Sequence, residues 1–158
     1  MKLPDEIIQF FLKQGFVVVS TIDKNGRPHS SCKGIVKINR NGIIYLLDLY
    51  KARTYDNLKR NPRISITAVD EHRFIGFCLK AKAKIILENK IESHIIKAWE
   101  ERIASRLTRR VLRNIHEEKG HPRHPEALLP KPKYLIAMKI EEIVDLTPHH
   151  IKQGSKNG

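Results

Sequence analysis

The chain has 158 residues, the usual length of one domain, and 41% of them are hydrophobic, so it can form a core and is not a disordered protein. Its formal net charge is +13, and the excess lies in residues 1–133. No apolar run approaches the roughly 18 residues of a membrane-spanning helix, and the first residues lack the pattern of a signal peptide. With only two cysteines, Cys32 and Cys78, a disulfide framework is excluded. We therefore expect a cytoplasmic protein.

A short helix and three strands are predicted at the start of the chain. Residues 4–14 carry apolar side chains at helical spacing and stop at a glycine. Strands are expected over residues 16–22, 27–38 and 43–47, because the two intervening turns each contain Asn-Gly. Since Asn-Gly between apolar runs is the strongest short-range signal for a β-hairpin, these strands should be consecutive and antiparallel.

The middle of the chain predicts a short helix and two further strands. The helix covers residues 53–60 and ends before Pro62, which cannot continue it. Strands follow over residues 63–69 and 74–87. The second of them has a cationic face formed by Lys80, Lys82 and Lys84.

The last part of the chain returns to a helical period over residues 90–119, becomes rich in proline over residues 120–133, and ends in a strand that begins at Tyr134. Five or six strands joined mainly by hairpin turns predict a small antiparallel barrel with helical additions. The expected organisation is one domain over residues 1–148, with an insertion at about 90–133, and a flexible tail over 149–158.

An anion-binding site is predicted where the third strand ends and the second helix begins. Lys51, Arg53 and Thr54 fall at the opening of this helix, where free backbone amides and the helix dipole attract an anion. Arg53 can bind phosphate oxygens in a fork, Lys51 adds charge, and the Thr54 hydroxyl adds a donor. In the alternative interpretation, Thr54 caps the helix and both cations are solvated.

In this region the sequence resembles the pyridoxamine 5'-phosphate oxidase-like proteins, a family of FMN-binding split barrels. The resemblance covers roughly residues 4–88. Its motifs, in order, are a helix, V-V-V-S-T-I, D-K-N-G-R-P-H, two strands, R-T-x-x-N-L-x-x-N-P-R and a strand of S-I-T-A type. It implies a mainly β fold, a six-stranded antiparallel split β-barrel with an N-terminal helix and a helical insertion before the last strand. It also implies a homodimer with two FMN sites at the subunit interface.

The resemblance also implies which residues bind the cofactor. Arg53 and Thr54 match the pair that holds the FMN phosphate, while the second strand and the end of the third line the flavin. Lys33 would stabilise the reduced ring. The complete predicted cofactor-binding set is Ser30, Ser31, Cys32, Lys33, Leu47, Asp48, Lys51, Arg53, Thr54 and Asn57. The expected function is an FMN-dependent oxidoreductase that passes hydride or electrons from a reduced donor to a small acceptor, with no recognisable catalytic residue.

Two departures argue against vitamin B6 oxidation itself. The oxidases have Ser-Arg-Lys at the phosphate cradle, where this chain has Ala52-Arg53-Thr54. The chain also lacks the arginine-containing C-terminal segment with which those enzymes bind the substrate phosphate. Because the same fold family contains haem and deazaflavin binders, these two cofactors are alternatives to FMN.

Other candidate residues give weaker signals. The spacing of the histidines matches no standard zinc motif, so no metal site is predicted from His116, His121, His124, His149 and His150. Cys32 is interpreted as a small buried hydrophobic residue, with a reactive thiol beside Lys33 as its alternative. Trp99 is interpreted as a core residue, with stacking on a flavin as its alternative.

An alternative function uses the positive charge differently. Arginines of the predicted helix, from Arg102 to Arg113, form one face that is interpreted as solvated. Together with the lysine face of residues 80–84, this helix would suit a basic module that binds RNA or DNA. No aromatic platform accompanies these cations, so nucleic-acid binding remains the second choice.

Overall fold

The computed structural model describes residues 1–48, 51–115 and 134–150. Within them, the strands are β1 Val17–Ile22, β2 Pro28–Ile38, β3 Ile43–Asp48, β4 Arg63–Asp70, β5 Ile75–Leu87 and β6 Tyr134–Asp145. The helices are α1 Asp5–Lys13, α2 Arg53–Arg60 and α3 Ser93–Ile115, and a 3-10 turn at Glu88–Lys90 leads into α3. The predicted Pro-rich segment and most of the predicted tail lie outside the described residues, and the proposed domain boundaries stay predictions.

The strands close into an antiparallel barrel in the order β1-β2-β3-β6-β5-β4, with β4 paired to β1. Hairpins form at the two Asn-Gly turns, where Gly26 and Gly42 have φ angles of 77° and 83°. Leu87, the last residue of β5, pairs with Tyr134, the first residue of β6. The predicted six-stranded antiparallel split barrel with additional helices is confirmed.

The inside of the barrel is the main hydrophobic core. Val17 and Val19 of β1 are buried, whereas Val18 between them is 39% exposed, as the alternation of a strand requires. Helix α1 belongs to the same core, because Phe10 and Phe11 pack into it. The other strands contribute inward residues that include Ile35, Ile44, Leu46, Ile64, Ile66, Leu79, Ile136, Met138 and Ile140.

A second, smaller core lies between the outer wall of the barrel and α3. Val36 and Leu135 face outward from β2 and β6 and pack with Ile95 of α3. Val36 follows the inward-facing Ile35 and so points outward by strand alternation; the register shift between Ile35 and Lys37 then lets Ile38 pack against the inner core. This outer core fixes α3 against the barrel wall.

Two arginines of α3 contact the end of α1, so the expectation of a solvated arginine face is wrong for Arg102 and Arg106. Arg102 donates to the carbonyl oxygens of Leu12 and Gln14 at 3.4 and 3.2 Å, and Arg106 donates to the carbonyl oxygen of Gly15. The last carbonyls of a helix lack partners within it and lie at the negative end of its dipole, so they attract guanidinium groups. Arg109 is exposed, as expected of a solvated face, and the side chains of Arg110 and Arg113 lie outside the described part.

None of the described helices combines the length and the apolar character that a bilayer-spanning helix needs.

Candidate functional site

The start of α2 is the centre of the candidate site. Its N-cap residue is Ala52, whose side chain can accept no hydrogen bond from the first backbone amides. Lys51 and Arg53 are exposed beside these amides. Thr54 lies inside the helix and does not cap it, so the alternative interpretation of Thr54 as the capping residue is wrong. An uncapped helix N-terminus with two exposed cations is suited to bind a phosphate group.

Thr54 is held against strand β2. Its side chain is 3% exposed, and its hydroxyl lies 3.0 Å from the hydroxyl of Ser31. Two predicted cofactor residues are therefore brought together. Their hydrogen bond fixes the position of the helix opening relative to the barrel.

Asn57 of α2 connects the helix to β1. It is 4% exposed, donates from Nδ2 to Thr21 Oγ1 at 3.0 Å, and accepts at Oδ1 from Arg60 at 2.6 Å. Both ends of its amide thus have partners within the protein. The structure gives Asn57 a role in orienting α2, and it stays a predicted cofactor residue.

Lys33 and Asp48 form a partly buried ion pair next to the helix. Lys33 Nζ lies 2.8 Å from Asp48 Oδ1, and the two side chains are 12% and 5% exposed. The other carboxylate oxygen, Oδ2, accepts a hydrogen bond from the hydroxyl of Tyr134. Burial and this neighbouring carboxylate raise the pKa of the Tyr134 hydroxyl well above its ordinary value, so the hydroxyl stays protonated.

Tyr134 also contacts α2 through its ring. It packs edge-on against Tyr55, with ring centroids 4.9 Å apart and an angle of 73° between the planes. The ammonium groups of Lys51 and Lys59 lie 5.4 and 5.7 Å from the centroid of Tyr55. The aromatic pair therefore lies between the cationic helix opening and the Lys33–Asp48 pair.

Three predicted cofactor residues lie on other faces. Ser30 and Cys32 point to the outer face of β2, where Ser30 Oγ is 3.1 Å from Ser20 Oγ. Cys32 is exposed, so its interpretation as a buried residue is wrong; it pairs with Val18, which is also on the outer wall. Leu47 packs into the outer core under α3.

Trp99 is a member of the outer core, which agrees with its interpretation as a core residue. Its indole Nε1 is buried and has no hydrogen-bond partner within the described part of the chain. Because Trp99 packs against the cluster of Val36, Ile95 and Leu135, it belongs to the contact that holds α3 in place.

Two aromatic residues of this region were not predicted from the sequence. Tyr134 and Asp48 are 86 positions apart, and they meet because β3 and β6 are neighbours in the barrel. For Tyr55, the only indication in the sequence of a place in the site was its position directly after Thr54. Of the predicted histidine cluster, the first three residues lie outside the described part, and the described residues contain no group of three metal-binding side chains.

Comparisons with known proteins place the chain among related folds. HupZ of Group A Streptococcus has 19% identity and a TM-score of 0.64, and the match covers 92% of this chain and 94% of that one. A putative pyridoxamine 5'-phosphate oxidase from Lactobacillus delbrueckii has 17% identity and a TM-score of 0.60, with coverages of 90% and 93%. HutZ of Vibrio cholerae, a haem storage protein, has 22% identity and a TM-score of 0.54, with coverages of 91% and 94%.

A search among curated proteins gave no match. The family model for pyridoxamine 5'-phosphate oxidase, in contrast, matches residues 3–144, which is most of the sequence. The closed six-stranded barrel agrees with this match. The chain therefore belongs to the pyridoxamine 5'-phosphate oxidase family.

Proposed function

We propose that the protein binds FMN and acts as a flavin-dependent oxidoreductase. The observation that carries the proposal is the uncapped start of α2, where Lys51 and Arg53 are exposed and Thr54 is fixed against Ser31. This arrangement fits a terminal phosphate, because backbone amides and a guanidinium fork can share its oxygens. One expected departure from vitamin B6 oxidation, Ala52-Arg53-Thr54 in place of Ser-Arg-Lys, lies in this cradle, but it keeps the arginine.

The flavin ring would lie towards Lys33. Ser31 and Lys33 are on the same face of β2, and a two-residue step along a strand covers about 7 Å. The ribityl chain of FMN can extend over a comparable distance. In this orientation Lys33 would donate a hydrogen bond to the ring. Asp48, which accepts a hydrogen bond from Tyr134, would hold the Lys33 ammonium in place. FMN would supply the hydride and electron transfer, and the protein would supply binding, orientation and charge.

A homodimer is part of this proposal, as the family resemblance implies. The outer wall carries an apolar surface formed by Phe16, Val18 and Val69, which are 63%, 39% and 59% exposed. They line a shallow groove of about 320 Å³. Exposed apolar patches of this kind are typical of protein interfaces. We expect Val69→Lys to shift the protein from dimer to monomer in light scattering, whereas Lys37→Glu, elsewhere on the barrel, should not.

Cofactor identity can be tested directly. The purified chain should show the visible absorption of a flavin, and mass spectrometry of the released ligand should identify FMN. Folded protein that neither carries a flavin nor takes up added FMN would contradict the proposal. A Soret band would instead support haem, a cofactor suggested by the similarity to HutZ, and a released deazaflavin would support the third alternative.

The phosphate cradle has its own test. Arg53→Ala should weaken FMN binding by about ten- to a hundredfold, the usual loss for a charge-assisted hydrogen bond pair, and should leave riboflavin binding nearly unchanged. Riboflavin lacks the phosphate, so it serves as the matched ligand. Arg73→Ala, an exposed arginine in the turn between β4 and β5, is the control variant. Equal losses for both ligands would contradict the assignment of Arg53.

Nucleic-acid binding is less well supported than flavin binding. Lys80 pairs with Glu142 at 3.0 Å and Lys82 with Glu141 at 3.4 Å, so acidic side chains of β6 balance much of the cationic strand face. Arg102 and Arg106 of α3 are directed at backbone carbonyls of the α1 end. Four of the cations on which the alternative depends, Lys80, Lys82, Arg102 and Arg106, therefore have partners within the molecule.

A further inference from the structure

Tyr134 contacts both halves of the candidate cofactor site. It is fully buried at the start of β6 and reaches α2 with its ring and β3 with its hydroxyl. The phosphate-binding half of the site is on α2, and the residue proposed to face the flavin ring, Lys33, is bound to Asp48 of β3. One side chain therefore touches the supports of both halves through different atoms.

The hydroxyl of Tyr134 binds the carboxylate of the Lys33–Asp48 pair and so influences how strongly Asp48 attracts Lys33. Asp48 is 4% exposed, and its two carboxylate oxygens are occupied separately, Oδ1 by Lys33 and Oδ2 by Tyr134. Without the tyrosine donor, Oδ2 would be a buried carboxylate oxygen lacking this partner. Such an oxygen attracts the nearest cation more strongly, and here that cation is the Lys33 ammonium, which has three N–H donors.

The ring of Tyr134 acts on the helix opening instead. Tyr55 follows Thr54 directly, and its ring lies between Tyr134 on one side and the ammonium groups of Lys51 and Lys59. Edge-to-face packing fixes the direction of the Tyr55 ring. Because Tyr55 is on the first turn of α2, this contact sets where the cationic helix opening lies relative to the barrel.

We propose that Tyr134 is a positioning residue that holds the phosphate end of the cofactor site with its ring and the flavin end with its hydroxyl. The proposal rests on the proposed FMN function. It implies that the two ends can be changed separately, because the two contacts use different parts of one side chain. A residue with only a structural role would disturb both ends together.

Two affinity ratios report on the two ends. The ratio of the affinities for oxidised and dithionite-reduced FMN reports on the charge near the ring. The ratio of the affinities for FMN and riboflavin reports on the phosphate cradle. Tyr134→Phe keeps the ring and should weaken binding of reduced FMN by about tenfold relative to oxidised FMN. For a two-electron couple, this equals a midpoint potential about 30 mV more negative. The ratio of FMN to riboflavin binding should stay unchanged.

Removal of the partner ring should give the opposite pattern. Tyr55→Leu should lower the FMN to riboflavin ratio and leave the oxidised to reduced ratio unchanged, since the Tyr134 hydroxyl still reaches Asp48. Tyr55→Phe, which keeps the ring, is the matched control and should change neither ratio. Thermal unfolding of each variant gives its folded fraction.

A second variant tests the charge argument if Tyr134→Phe does not fold. Asp48→Asn keeps the shape but removes the negative charge opposite Lys33, so reduced FMN should bind more tightly relative to oxidised FMN, the reverse of the Tyr134→Phe effect. Equal changes of both ratios in Tyr134→Phe would overturn the inference while FMN binding stands. So would a shift of the oxidised to reduced ratio in the same direction in Tyr134→Phe and Asp48→Asn. Absence of flavin binding by the unmodified chain would overturn the proposed function and this inference with it.

Discussion

Most polar side chains at the candidate site bind other side chains of the protein. The hydroxyl of Thr54 is paired with Ser31, the amide of Asn57 with Thr21 and Arg60, and the carboxylate of Asp48 with Lys33 and Tyr134. Buried polar groups require such partners, because an unsatisfied group costs about 1–3 kcal/mol. The buried polar residues thus serve the packing of α2 and the strands, and in the proposed function the exposed Lys51 and Arg53 are the ones that would contact the phosphate.

Asp23 shows how a single residue links stability to pH. Its Oδ1 accepts from the backbone N–H groups of Asn25 and Arg27, at 2.8 and 2.9 Å, and so fixes the first hairpin turn. The bond from Arg27 is the main cause that lowers the pKa of Asp23 below 3.8. Since the folded form favours the carboxylate, its contribution to stability is present above the unfolded pKa and is lost as pH falls through the folded one.

We expect an NMR titration to place the Asp23 midpoint below 3.8, the ordinary value for this group. Asp23→Asn retains an acceptor oxygen that does not titrate, so its free energy of unfolding should fall less steeply below that pH than that of the unmodified chain. Chemical denaturation at a series of acidic pH values measures the difference. A midpoint at or above 3.8 would contradict the role assigned to the two backbone hydrogen bonds.

At the level of elements, α3 packs on the barrel and also stabilises the end of α1. The helix meets the barrel through Ile95 and the outer core, and it reaches α1 through the Arg102 and Arg106 side chains. The first turn of α1 carries Asp5 and Glu6, which complement its dipole at the other end. Helix α1 is thus stabilised at its N-terminus by local sequence and at its C-terminus by a distant helix.

We predict that Arg102→Met lowers the free energy of unfolding by about 1–2 kcal/mol, because the methionine keeps an apolar stem and loses the bonds to the α1 carbonyls. Urea denaturation measures this change. Arg109→Met, at an exposed position on the same helix, is the control and should change stability by less than about 0.5 kcal/mol. Similar losses in the two variants would show that the α1 contact contributes little.

At the level of the whole molecule, strand β6 divides two cores. Met138 points into the barrel and is 0% exposed, and Leu135 points outward under α3 and is 1% exposed. The two positions are equally buried but serve different contacts, because the inner core holds all six strands and the outer core holds α3. Truncation of either side chain should cost about 2–5 kcal/mol.

Hydrogen exchange should distinguish the two truncations. Leu135→Ala should increase exchange mainly in the backbone amides of α3, since local opening of the helix leaves the barrel strands paired. Met138→Ala should increase exchange across the strands. If Leu135→Ala increased exchange in β1 and β4 as much as in α3, the two cores would have to be treated as one cooperative unit.

The barrel was predictable because its signals are local. Two Asn-Gly turns and alternating apolar residues determine the first three strands, and Pro62 ends α2 where the sequence indicates. The position of Lys51, Arg53 and Thr54 at the opening of α2 was predictable for the same local reason, while their role as cofactor-binding residues stays a prediction. Cys32 was misjudged because alternation alone does not say which face of a strand is inside; the register with the exposed Val18 decides it.

Long-range contacts explain what the sequence could not reveal. Tyr134 meets Asp48 across 86 positions, and Lys80 meets Glu142 across 62. Neither pairing follows from spacing, because both depend on the position of β6 between β3 and β5. The arginines of α3 form a helical charge pattern in the sequence. Arg102, however, binds backbone carbonyls, and because every residue has one, the sequence pattern does not identify these partners.

The pairing of Leu87 with Tyr134 has a consequence for how this fold can diversify. The chain leaves the barrel after β5 and re-enters it at β6 at directly opposed positions, so the intervening segment begins and ends at one place. Loop closure becomes only slowly less favourable as a loop lengthens, and segments of very different size can therefore be exchanged here without changing the barrel. Because Tyr134 is the re-entry residue, each exchange would act first on the neighbourhood of Asp48. This junction is therefore a place where evolution, or a protein engineer, could alter the surroundings of the Lys33–Asp48 pair while the barrel is kept.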